Sequence, residues 1–108
     1  MHVSGHCFCG FVQYEAEVDE NSVVICHCTS CQRNAATAFG VVVPTSEEDF
    51  KLLAGTLASY ESLADSGTMR SRTFCPKCGT RIYAKTVGEG TDGGIKFVGL
   101  RVGAIELR

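Results

Sequence analysis

The sequence predicts an all-β fold of short, mainly antiparallel strands with one short helix, stapled by zinc. Three observations carry this. Short alternating or β-branched runs recur between turn residues. Only residues 29–38 read as a helix of more than one turn. The seven cysteines fall into local clusters, Cys7/Cys9, Cys26/Cys28/Cys31 and Cys75/Cys78.

Residues 12–18 alternate apolar with polar, the period of a half-buried strand. Asp19 to Ser22 is a turn, and Val23, Val24 and Ile25 lead extended into Cys26. In residues 29–38, Thr29 or Ser30 supplies the cap, and Gln32, Arg33, Ala35 and Ala36 favour the helix. Residues 39–43 form a buried strand closed by Pro44, and residues 45–50 read as a single capped helical turn. Residues 51–54, 56–63, 69–74 and 82–87 are further strands. Residues 88–94 are a glycine-rich loop, and residues 95–102 form the last strand.

A chain of 108 residues is one domain, residues 1–108, with a limited core that gains from a metal staple. With 10 basic and 12 acidic residues, no electrostatic footprint for nucleic acid or an anionic membrane is expected, although a local patch stays open. No signal peptide or membrane span is expected. Clustered cysteines without a leader point to metal binding in a reducing, cytoplasmic setting, and an odd number of them argues against a disulfide framework.

Cys75-Pro76-Lys77-Cys78-Gly79 has the form of a metal knuckle, with glycine where the backbone curls under the ion. A tetrahedral zinc needs two more sulfurs. Cys7 and Cys9, two apart on a strand, present them on one face, with Gly5 and Gly10 giving room for a kink. Cys7, Cys9, Cys75 and Cys78 therefore form a closed structural site, with iron as the alternative metal. Cys26, Cys28 and Cys31 remain for a second ion: two sulfurs from a strand end and one from the first helical turn, where a thiol is acidified. Three protein ligands leave a fourth position for exchange, the arrangement of a catalytic zinc. A redox pair at Cys28/Cys31 and a fourth ligand from His27 are the competing readings.

Three thiolates damp the Lewis acidity of zinc, so such a site activates water poorly and suits a soft ligand, above all a substrate thiol. A cation nearby offsets the site's negative charge and grips an anionic substrate. Arg33 is the first candidate, followed by His6, His27 and Arg81, with a solvated helix charge as the bland reading of Arg33. Tyr14, Tyr60, Tyr83 and the phenylalanines are expected in the core.

Gly5-His6-Cys7-Phe8-Cys9-Gly10, Cys26-His27-Cys28-Thr29-Ser30-Cys31-Gln32-Arg33 and Phe74-Cys75-Pro76-Lys77-Cys78-Gly79-Thr80 together resemble the glutathione-dependent formaldehyde-activating enzyme family, also called the centromere protein V domain family. Gly55 to Tyr60 resembles the family's glycine-led strand. The resemblance implies a β-tent fold, two zinc ions, and carbon–sulfur lyase activity of the S-hydroxymethylglutathione synthase type on glutathione and formaldehyde. It implies structural zinc ligands at Cys7, Cys9, Cys75 and Cys78, and catalytic zinc ligands at Cys26, Cys28 and Cys31. Two departures stand out. The sequence stops at Arg108, earlier than the resemblance implies, so part of the family's substrate wall is expected to be absent or supplied by a partner chain. Asn34-Ala35-Ala36-Thr37 lacks an expected glycine. A non-catalytic zinc-stabilised binding module is the alternative function, and nucleic-acid binding a distant third.

Overall fold

Among the described residues the strands run β1 (His2–His6), β2 (Gln13–Glu17), β3 (Val24–Cys26), β4 (Gly40–Ser46), β5 (Phe50–Ala54), β6 (Ala58–Leu63), β7 (Met69–Phe74), β8 (Arg81–Thr86) and β9 (Phe97–Arg101), with one α-helix, α1 (Thr29–Ala35), between β3 and β4. They belong to a computed structural model that describes residues 1–63, 67, 69–87 and 97–106. Residues 88–94, expected as a loop, lie outside these, as do the first two residues of the expected final strand.

All strand pairs are antiparallel, in two sheets: β1-β2-β5, and β3-β4-β9-β8-β7-β6. The alternation of residues 12–18 is borne out, with Val12, Tyr14, Ala16 and Val18 buried. Phe50 joins the sheets: its ring centroid lies 5.2 Å from Tyr14 and 5.0 Å from Tyr83, an aromatic seam through the core. Three aromatic residues expected in the core are not there. Phe8, Phe39 and Tyr60 are exposed.

Pro44 does not close its strand. β4 runs through it to Ser46, pairing Pro44 with Gly99 of β9. β3 pairs β4 only from Gly40 to Val42, so at Pro44 the other side of β4 has no strand neighbour, and the missing N–H breaks no ladder bond. Residues 45–50 are not a helical turn either. Thr45 and Ser46 finish β4, and the Asp49 N–H donates to the Ser46 carbonyl at 3.1 Å in a tight turn. Burial of Phe50 between the sheets outweighs the capping signal.

The helix stops at Ala35, at a left-handed turn made without the expected glycine. Ala36 takes the left-handed conformation, φ 56° and ψ 35°. Its N–H donates to the Arg33 carbonyl at 3.2 Å and that of Thr37 to the Gln32 carbonyl at 3.2 Å, a Schellman closure normally built on glycine. Ala36→Gly is expected to relieve the left-handed strain, stabilising the protein by about 0.5–1 kcal/mol and raising Tm by a few degrees. A lower Tm in a thermal melt would contradict this reading of the turn.

Among the described residues no helix is long and apolar enough to cross a membrane.

Candidate metal centres and the cleft beside them

The Cys7, Cys9, Cys75 and Cys78 sulfurs all lie within 4.8 Å of one another. Cys7 and Cys9 are 3.5 Å apart, and Cys9 and Cys75 are 3.8 Å apart. The grouping is the expected one, but the local geometry is not a strand. β1 ends at His6, and residues 7–10 turn back so that the Gly10 N–H meets the Cys7 carbonyl at 3.2 Å. The second pair mirrors this, with the Gly79 N–H on the Cys75 carbonyl at 2.9 Å. Gly10 and Gly79 have φ of 83° and 80°, values a side chain would resist. The site is therefore made of two knuckles face to face.

Backbone amides point at the sulfurs. Val12 N–H donates to Cys7 Sγ at 3.2 Å, and the Lys77 and Cys78 amides to Cys75 Sγ at 3.3 and 3.4 Å. Such donors stabilise thiolates. The Thr80 hydroxyl and amide hold the Cys78 thiol down at about 5. At Cys9 the Phe11 amide acts downward, but burial and the neighbouring thiols outweigh it and push the group up to about 11. Four sulfurs this close cannot all ionise without a cation among them. Four soft donors in one compact group, with amides aligned on them, fit zinc, and the same donor set accepts iron.

The second cluster is equally compact, with Cys26, Cys28 and Cys31 within 4.8 Å of one another. Cys26 ends β3, Cys28 caps α1, and Cys31 sits in its first turn. The cap is thus Cys28, not Thr29 or Ser30: its sulfur accepts the Cys31 N–H at 3.3 Å. Cys26 and Cys28 sulfurs are 3.4 Å apart. The sulfurs in direct contact are those of Cys26 and Cys31, not those of Cys28 and Cys31. The three sulfurs thus suit one soft cation when reduced. His27 does not join them. Its ring packs on Phe39 at 5.4 Å, and among the described residues no fourth metal-ligating side chain completes this group.

Beside this cluster opens a cleft of about 370 Å³ whose walls include Arg33, Arg72, Arg81, Tyr60 and Ser62. Two expected cations, Arg33 and Arg81, are therefore brought together. His6 is not. It sits by the four-cysteine site, with Nδ1 on the Cys7 carbonyl at 2.7 Å and Nε2 on Glu106 at 2.7 Å. The Cys7 carbonyl and Glu106 both raise its pKa.

Arg70, Arg72 and Arg101 were not legible as site residues from cysteine spacing. Their signal is register. Arg70 and Arg72 are two apart on β7, opposite Ser62 and Tyr60 of β6, and Arg72 lies in line with Ala84 and Gly99, two residues before Arg101. All thus face one side of the large sheet. Arg101 Nη2 donates to Asn34 Oδ1 at 3.0 Å, bracing α1. A Cβ on Gly40 would lie 2.7 Å from the Arg101 guanidinium, so the glycine paired with Cys26 gives this arginine its passage.

Residues 2–107 match the family model described as glutathione-dependent formaldehyde-activating enzyme. No curated protein matches the chain. Among solved structures, the crystal structure of a Rhodobacter sphaeroides protein, a structural-genomics target, superposes with a TM-score of 0.73 at 21% identity, covering 97% of this chain and 89% of that one. At that identity the likeness concerns the fold.

Proposed function

The chain belongs to the family of glutathione-dependent formaldehyde-activating enzymes, and from that premise we propose that it joins glutathione to formaldehyde, giving S-hydroxymethylglutathione, at Cys26, Cys28 and Cys31. The observation that carries the reading is a compact three-sulfur group with no fourth ligand among the described residues, beside an arginine-lined cleft. Cys7, Cys9, Cys75 and Cys78 hold a structural zinc, and Cys26, Cys28 and Cys31 a second.

A zinc bound there lowers the pKa of a substrate thiol from its usual value of about 8.5. The chain's own groups do the rest. Cys28 Sγ keeps its place by accepting the Cys31 amide, and Arg33 at the cleft wall draws in an anionic thiol. In the overall reaction a C–S bond forms between thiolate and carbonyl carbon. The carbonyl π pair moves to oxygen, which takes the proton the thiol gave up. The reverse is the lyase direction.

Cobalt substitution tests this, because thiolate-to-cobalt charge-transfer bands report ligand number. Glutathione is expected to increase those bands in the parent protein but not in Cys31→Ser. The response should strengthen as pH rises toward the thiol pKa, since a proton leaves the ligand. No response to glutathione or any small thiol, in protein carrying both metals, rejects the reading. One observation favours the alternative, a non-catalytic binding module: Val23, Val24 and Ile25, on and beside edge strand β3, are exposed, as is Phe39.

A further inference from the structure

We propose that Arg72, Arg81 and Arg33 form a subsite for an isolated carboxylate of the thiol substrate, one with no ammonium group beside it. On glutathione that is the glycyl end and not the γ-glutamyl end. The ligand named here rests on the thiol reading above, but the subsite can be tested without a thiol.

Arg72 is the anchor. It is only 9% exposed, and its side-chain hydrogen-bond partner among the described residues is the neutral Ser62 hydroxyl. Burial first, and then the charges of Arg70 and Arg81, lower its pKa. A guanidinium removed from water and crowded by like charges is costly unless an anion meets it. Among the described residues, the protein's own carboxylates do not supply that anion. Among the described residues, every ion pair belongs to the N-terminal amine, His2, His6 or Lys85. None involves Arg33, Arg70, Arg72, Arg81 or Arg101.

The metal cluster accounts for only part of this charge. Cys28 is near enough to favour the charged form of Arg72. Three thiolates around one divalent cation, however, leave a single net negative charge, fewer than the arginines gathered there. Among the described residues, the cleft walls hold no Asp or Glu. A substrate end carrying both carboxylate and ammonium would bring a second positive charge to a wall of guanidinium groups with no carboxylate among the described residues to offset it. A lone carboxylate instead meets planar forks that can bind it through two oxygens, with the Tyr60 and Ser62 hydroxyls beside them.

Isothermal titration of the zinc-loaded protein with S-methylglutathione and with its glycyl monoethyl ester isolates the subsite, because neither compound has a thiol to ligate metal. The acid is expected to bind at least about tenfold more tightly than the ester, as befits the loss of a charge-assisted hydrogen bond. In Arg81→Gln the preference should fall to within about threefold. Arg72→Lys, which keeps the charge but not the fork and avoids the folding risk of a neutral residue at a buried position, should also reduce it. Equal binding of acid and ester by the parent protein, or a full preference surviving in both variants, overturns the proposal. So does inorganic phosphate binding more tightly than S-methylglutathione. If cobalt bands fail to respond to any thiol while the acid-over-ester preference stands, the zinc reading falls and the subsite remains.

Discussion

Cys75→Ser is expected to leave no cooperatively folded protein. Cys75 is fully buried at the join of β7 and the second knuckle. Its sulfur accepts two amide hydrogens and lies 3.8 Å from Cys9, which links the end of the large sheet to the β1–β2 turn. A structural zinc contributes on the order of 10 kcal/mol to folding, whereas a small domain's net stability is about 5–15 kcal/mol. Serine is a hard, weakly acidic oxygen donor and does not replace the thiolate. Losing one ligand therefore removes most of the margin. Circular dichroism melts should show no sigmoidal transition, and a strong chelator should do the same to the parent protein. A cooperative melt within a few degrees of the parent would show that the four-cysteine site is not what holds the sheets together.

The fold was legible where burial alone sets the pattern. Val12, Tyr14, Ala16 and Val18 announce their face because one side of β2 is covered and the other wet. The misreadings share a cause, which is that tertiary partners outvote local signals. Pro44 sits mid-strand because its neighbour strand has already ended, and Phe50 turns a helix-like segment toward the core. Spacing on a strand is an incomplete reason for the closeness of Cys7 and Cys9, since a turn also brings cysteines two apart to one place.

The candidate site divides in the same way. Metal ligands are local in sequence, so their spacing displays them. The arginines converge only through sheet register, from β7, β8, β9 and α1, and a formal charge of −2 conceals them. A balanced total says nothing about a patch that the fold assembles.

Cys28→Ser is expected to separate catalysis from folding. Cys28 is exposed, and its structural task is to cap α1 by accepting the Cys31 N–H. Serine is among the best residues for that task, so the helix start should survive. The four-cysteine site is elsewhere and should keep its metal. Elemental analysis should therefore fall from two zinc ions per chain to one, with a melt close to that of the parent. The rate at which the protein accelerates hydroxymethyl adduct formation from glutathione and formaldehyde, followed by NMR, should fall at least about a hundredfold, roughly 2.7 kcal/mol in the barrier. Acceleration within a few-fold of the parent would place the chemistry away from Cys28. If the parent protein binds glutathione through its second metal yet accelerates nothing, the site stands and the enzyme gives way to the binding module. If Cys28→Ser instead unfolds while Cys75→Ser melts normally, the structural and exchanging roles of the two clusters are reversed.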